Sequence, residues 1–356
     1  MGNFFSILFA ILIFSFLIFV HELGHFVCAK LSGVQVNEFS MFMGPVIWKR
    51  QKGETLYSIR CIPIGGFCAM EGEDSETDNP RSFQKAAWWK RLIILVAGAA
   101  MNFMAGLLLV SIVYAPSQTF VAPVINHFEE YATVDDHGLQ LGDRFAEIDG
   151  SKVLLHNDVS LLLMLNEGDY HDIVVERAGQ LVTLENFYLE RHEVTQKDGS
   201  VVMLCGFSYG EEVPFTFASK LQFVWNTAID WIRTVFWSLE LLFTGKAGLS
   251  EMSGPVGIVQ QMGEVAGASQ SVGAAIMNLL YFGGFIAVNL AVMNLLPIPA
   301  LDGGRVVALL LTTGIEAITR RKIDPKYEGY IHAGGMILLL LLMAVIMFKD
   351  IIFLFK

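Results

Sequence analysis

The chain has 356 residues, of which 54% are hydrophobic and only 17% charged, with a net charge of −11 and a mean hydropathy of +0.52. A soluble domain carries about a quarter charged residues and no long apolar runs, so these values exclude an ordinary soluble enzyme. Phe4–Val20, Leu92–Tyr114, Ile276–Leu296 and Met336–Phe348 are nearly free of charge. With a few polar residues at the ends, each reaches the length that crosses about 30 Å of hydrocarbon. The chain reads as an integral membrane protein.

The first span, residues 1–30, has no Lys or Arg before it and Lys30 just after it. Cytoplasmic flanks collect Lys and Arg, so the N-terminus is expected outside. A cleaved signal peptide would want a positive start and a small-residue cleavage site, so the span is expected to be retained. Within it lies His21-Glu22-Leu23-Gly24-His25. Histidines four apart share a helical face, so both imidazoles can reach one metal, with Glu22 near the bound water. Three ionisable groups in an apolar span are costly and mark function by default. The bland alternative ends the span near Val20 and leaves the motif among headgroups, which gives Glu22 and both histidines no reason to share a face. A soluble metzincin is excluded, since no third His follows at its offset.

Residues 31–91 are expected inside, with 9 basic and 7 acidic residues from Lys30 to Arg91. PVIWKRQKGETLYSIRCIPIGGF reads as two extended runs about a polar turn, hence an inner, membrane-associated β-hairpin. Glu71–Pro80 is acidic and turn-rich. Trp88, Trp89, Lys90 and Arg91 anchor the interface where the second span, 92–115, begins.

Residues 116–213 change character. Ala115–Lys220 holds 6 Lys+Arg against 18 Asp+Glu, which places the segment outside and argues against nucleic acid as a partner. Short β-rich runs, glycine turns and one helix predict a small α+β domain. In 214–275, Leu221–Phe243 is long and aromatic but interrupted by Asp230, Arg233 and Glu240. It is a fifth span or an amphipathic interfacial helix; the cost of those charges, and the i, i+3 spacing of Asp230 and Arg233, favour the interface. A glycine-rich linker follows. Cys28, Cys61, Cys68 and Cys205 make a poor disulfide framework, because three belong to the first span or the inner loop.

The third transmembrane segment, 276–304, ends in NLLPIPALDGGR. A catalytic zinc takes three protein ligands and keeps an open position, and Asp302, at a Pro- and Gly-rich helix break, is the candidate third ligand. Alternatively, Asp302 only caps a helix beginning near Arg305. His21 and His25 lie about 27 Å along the first helix, toward the inner leaflet. Asp302 reaches that depth only if Leu221–Phe243 does not cross. The loop 305–330, with Arg305, Arg320, Arg321, Lys322 and Lys326, is then inside, and the fourth span, 331–356, ends outside. His127, His137, His156, His171, His192 and His332 are expected to be ordinary surface or interfacial residues.

HELGH, GGFCAMEGE in the inner loop, GLQLGDRFAEIDG in the outer domain, SGPVGI and NLLPIPALDGG resemble the bacterial site-2 protease family, in the family's order and over nearly the whole chain. GLQLGDRFAEIDG resembles the PDZ-domain hallmark of bacterial membrane proteases and is found once. The resemblance implies a polytopic α-helical protein of the bacterial inner (plasma) membrane, with four transmembrane helices, both termini outside, and one extracytoplasmic PDZ domain. It implies an intramembrane metalloprotease with Zn2+ held by His21, His25 and Asp302, Glu22 as catalytic acid/base, and Asn294 as a substrate-handling residue. The implied substrates are single-span membrane proteins, such as anti-sigma factors or signal-peptide remnants, cut within or beside a span in the lipid bilayer.

Two departures stand out. AGAAMNF replaces the Gly-Pro that many relatives carry before the Asn, which leaves the role of Asn102 open. The single PDZ separates the chain from tandem-PDZ relatives, so their substrates do not carry over. The competing readings are a proteolytically inactive PDZ-bearing scaffold and a metal transporter. Intact Glu22 argues against the first; one ligand cluster and no internal repeat argue against the second.

Overall fold

The computed structural model describes residues 3–73, 77–130, 132, 138–166, 168–195, 201–246, 248, 254–320 and 326–354. His137, Arg321 and Lys322 lie outside these, as do three residues of the acidic stretch and Ser253 of SGPVGI. The first half of the chain forms α1 (Asn3–Ser32), β1 (Val36–Lys52), β2 (Thr55–Met70), α2 (Trp88–Tyr114), β3 (Thr119–Phe128), β4 (Arg144–Ile148), β5 (Ser151–Lys152) and α3 (Asp158–Leu165). Next come β6 (Tyr170–Arg177), β7 (Gln180–Tyr188), β8 (His192–Thr195), β9 (Val201–Leu204) and β10 (Phe207–Pro214). Five helices close the chain: α4 (Phe217–Phe243), α5 (Pro255–Gly267), α6 (Val272–Leu295), α7 (Asp302–Thr319) and α8 (Lys326–Leu354). They divide into two units, Met1–Val113 with Trp231–Lys356, and Tyr114–Asp230.

In the first unit, four helices among the described residues are long and apolar enough to cross a membrane: Ile7–Ser32, Trp88–Tyr114, Val272–Leu295 and Gly329–Ile352. The chain is thus polytopic. α4 is not one of them, since Asp230, Arg233 and Glu240 interrupt its apolar run. Lipid tails are as apolar as leucine, so burial alone does not drive such helices together; close approach at small residues does. A Cβ on Gly24 of α1 would stand 2.4 Å from the Ala97 carbonyl oxygen of α2. One on Gly106 of α2 would stand 2.7 Å from Val288 of α6, and one on Gly283 of α6 would stand 3.0 Å from Ile13 of α1. The glycines therefore set the spacing of α1, α2 and α6.

β1 and β2 form an antiparallel hairpin with several register shifts. Its base, Val36, Phe39, Cys68 and Met70, packs with Ala29 of α1, Ile94 of α2 and Leu309 of α7. Farther out, Ile47, Trp48 and Ile59 are exposed.

Two helices occupy stretches expected to be loop or linker. α7 fills most of 305–330, because Val306 and Leu309, three apart, present one apolar stripe to the hairpin-base cluster. α5 arises in the glycine-rich segment, where Pro255 opens it with a pre-set φ. Its N-terminus is capped from 96 residues away: Asp350 of α8 accepts from the backbone N–H groups of Gly254 and Gly257, both at 2.9 Å. These are donors that a helix start leaves unpaired, and the negative charge also complements the helix dipole. Met262 and Ala266 of α5 then pack on Ala10 of α1 and Leu279 of α6.

The second unit is a mixed α/β fold around an antiparallel sheet in the order β10-β3-β4-β6-β7, with β5 paired to β4. Phe145 and Ile148 of β4, Ile173 and Val175 of β6, and Val159 of α3 are fully buried, each contributing about 1.5–3 kcal/mol of apolar burial. Asp149 and Gly150, at φ of 48° and 75°, make the turn from β4 to β5. Positive φ at both centres matches the twist of a tight hairpin. Asp143 is fully buried and accepts two bonds from the Arg177 guanidinium, each 2.7 Å. His171 is no surface residue: it is buried, and its Nδ1 lies 2.7 Å from Asp149 Oδ2.

Candidate metal centre

α1 carries His21 and His25 on one face, with their Nε2 atoms 3.2 Å apart. Asp302 Oδ2 lies 3.2 Å from His21 Nε2 and 3.3 Å from His25 Nε2. The three atoms form a nearly equilateral triangle. Ligand atoms on a tetrahedral zinc, bound at 2.0–2.1 Å, stand about 3.3–3.4 Å from one another. The triangle is therefore one face of such a tetrahedron. Asp302 Oδ2 is buried and makes no well-formed hydrogen bond, although two imidazole nitrogens lie this close. Lone pairs converging on one point, with no proton between them, suit a cation. The donor set, two imidazoles and a carboxylate, is one that zinc accepts.

The supports behind these ligands fix their orientation. His25 is buried, and its Nδ1 lies 2.8 Å from the Ile94 carbonyl oxygen of α2. A carbonyl only accepts, so Nδ1 carries the proton and Nε2 presents its lone pair to the triangle. Behind His21 stands Asn102 of α2, 1% exposed, its Nδ2 3.4 Å from His21 Nδ1 and its Oδ1 unpartnered. Turning the amide by half a rotation lets Oδ1 accept from His21 Nδ1–H, which satisfies both groups and again frees Nε2. Asn102, whose role the sequence left open, thus stands beside a ligand. Gly98, one turn earlier, leaves the space that the imidazoles fill: a Cβ there would stand 2.4 Å from His25 Nε2 and 2.7 Å from His21 Cε1.

Asp302 arrives by a different route. α6 ends at Leu295, and after the turn at Pro297–Leu301 the chain re-enters a helix with Asp302 in its first turn. The following glycines permit the fold-back, since a Cβ on Gly303 would stand 2.3 Å from the Leu295 carbonyl and one on Gly304 would stand 2.4 Å from the Ile298 carbonyl oxygen. Asp302 is therefore both a helix-opening acid, favoured by the dipole, and a member of the triangle. Arg305, one turn on, pairs with Glu73, just after β2.

Glu22 sits between the two histidines on α1, half-buried, and is near enough to His25, His21 and Asp302 to interact electrostatically with all three. Gly66 of the hairpin lies against it, where a Cβ would stand 3.3 Å from Glu22 Cγ, and the Cys68 backbone lies nearby. The GGF run of β2 is thus what lets the hairpin reach Glu22. Asn294 lies in the last turn of α6, half-buried and outside the triangle.

The sequence model of peptidase family M50 matches residues 9–342. The chain belongs to this family. It is similar to a candidate zinc metalloprotease of Clostridium acetobutylicum, 35% identical over 353 residues that cover 99% of this chain and 98% of the relative. The zinc metalloprotease RasP of Geobacillus kaustophilus is 28% identical, with 97% of each chain covered. The regulator of sigma-W protease RasP of Bacillus subtilis is 27% identical, with 96% of this chain and 97% of the relative covered. The M50 match, these relatives and the His-His-Asp cluster together support intramembrane zinc-protease activity, the work of a metalloendopeptidase.

Proposed function

We propose that this M50 peptidase cuts peptide bonds within or beside the transmembrane helices of single-span proteins, with Zn2+ held by His21, His25 and Asp302. The observation that carries the reading is the triangle of ligand atoms at 3.2–3.3 Å, assembled from two helices inside an apolar unit. Zinc bound there supplies Lewis acidity to the scissile carbonyl and to the attacking water. Glu22 takes the proton from that water and returns it to the leaving amine. Asn102 and the Ile94 carbonyl hold the imidazoles in the tautomer that binds metal. Asn294 hydrogen-bonds the substrate backbone at the end of α6. A helical substrate hides its peptide bonds, and the edge of the β1–β2 hairpin, which reaches Glu22 at Gly66, offers an unwound segment a strand to pair with.

The topology we propose has both termini outside the bacterial inner (plasma) membrane. α1 and α6 both bring their C-terminal ends toward the triangle, which supports parallel crossings and an α4 that does not cross. Residues 31–91 and 305–330 are then inside, rich in Lys and Arg. Residues 116–213 form an extracytoplasmic PDZ domain in this reading, supported by the turn at Gly142–Asp143, the strand β4 and the turn at Asp149–Gly150. Anti-sigma factors and signal-peptide remnants are the substrates of choice, the former in line with the sigma-W regulator among the relatives.

Co-expression with tagged single-span proteins and signal-peptide remnants tests this. Wild type should yield fragments whose new ends map inside a substrate span, and Glu22→Gln should yield none while still holding one zinc per chain. Equal cleavage by Glu22→Gln would remove Glu22 from the mechanism.

A further inference from the structure

The turn that presents Asp302 is gripped from α8, a helix that contributes no ligand. Ala300, at a φ of 79°, donates its backbone N–H to Nδ1 of His332, 3.0 Å away. A backbone amide only donates, so Nδ1 here is the lone-pair nitrogen and the ring proton sits on Nε2. Three residues along α8, Gly335 lies against the preceding residue of the turn: a Cβ there would stand 2.4 Å from Pro299 Cβ and 2.8 Å from its carbonyl oxygen. His332 and Gly335 share one helical face by their spacing. They therefore hold consecutive residues, Pro299 and Ala300, just ahead of Asp302.

The turn needs such a hold. Left-handed φ is uncommon for an alanine and persists where the surroundings impose it. Within the turn, Ile298 and Leu301 bond backbone carbonyls at 2.7 and 3.2 Å, whereas the Ala300 N–H goes to a side chain of another helix. The position of Asp302 follows from that turn, since Gly303 and Gly304 lock the start of α7 onto it.

We infer that His332 is a positioning residue for Asp302: its Nδ1 fixes the Pro299–Ala300 turn, with Gly335 supplying the flat contact, and so holds the carboxylate in register with His21 and His25. The inference rests on the metal-site reading above and assigns α8 a part in that site.

Purified full-length protein tests it with two readouts, amide exchange over residues 297–301 and zinc retained against graded chelator. Asn at 332 places an oxygen near the Nδ1 position; Leu removes the acceptor. His332→Leu should speed exchange at Ala300 by about fivefold to tenfold. It should also weaken zinc retention by about 10–100-fold, the range for partners one step behind a metal ligand. His332→Asn should keep both close to wild type, and Gly335→Ala should lose zinc with His332 intact. Wild-type zinc retention in His332→Leu overturns the inference. An equal loss in His332→Leu and His332→Asn overturns it too, since the acceptor would then not matter. Wild type without zinc overturns the metal-site reading and this one with it, while exchange at Ala300 still reports whether the contact to His332 exists.

Discussion

Gly98 of α2 faces His25 of α1 so closely that a methyl group at Gly98 would stand 2.4 Å from Nε2, the atom that points into the triangle. The nearest obstacle is a ring held by its own bond to Ile94, not the loose end of a flexible chain. Gly98→Ala is therefore expected to displace the ligand and leave purified protein nearly free of zinc. Gly267→Ala, where nothing lies within 4 Å, is the matched control and should keep its metal. Zinc content by elemental analysis decides it, and a fully loaded Gly98→Ala protein would mean that α1 and α2 separate without consequence.

Asp350 is 6% exposed near the end of a helix apolar enough to cross a membrane and caps α5 through Gly254 and Gly257. Replacing it by alanine strands two backbone donors, a loss of about 0.5–2 kcal/mol for a helix cap. Asp350→Ala should lower the melting temperature in detergent and speed amide exchange in the first turn of α5. Asp350→Asn, which keeps an acceptor, should recover most of both. Identical behaviour of the two variants would remove the cap as the cause.

Asp149 gives the second unit a pH dependence with a definite sign. Burial pushes its carboxyl upward, but hydrogen bonds from His171, Asn166 and the Asp172 backbone outweigh that and hold it below the ordinary carboxylate value. A carboxylate lowered by folding contributes stability above its unfolded pKa, about 3.9, and loses it as pH falls through the folded value. Asp149→Asn should thus accelerate proteolysis of the turn between β4 and β5 at pH 7. The difference from wild type should shrink as pH falls below about 4 and vanish once both carry a neutral group. A difference that persists unchanged into acid would assign the effect to geometry, not charge.

Much of the site was legible as sequence because it is local. Two histidines four apart with a glutamate between them, in a run of Phe, Ile and Leu, need only the pitch of a helix to share a face. The four apolar runs needed only length and composition. The partners of these groups come from elsewhere in the chain. Asn102 meets His21 across 81 residues, Asp350 caps α5 across 96, and His332 holds Ala300 across 32. Each looked like a polar residue with no assigned role, since a hydrogen bond between helices leaves no periodic trace. α5 was hidden for a related reason, since it owes its cap to a carboxylate on α8; a helix near Arg305 was already an open alternative, and α7 owes its place to packing on the hairpin base. Helical pitch alone put His21 and His25 on one face; the approach of α1, α2 and α6 at their glycines, and the fold-back at Gly303 and Gly304, decided that Asp302 meets them within 3.3 Å.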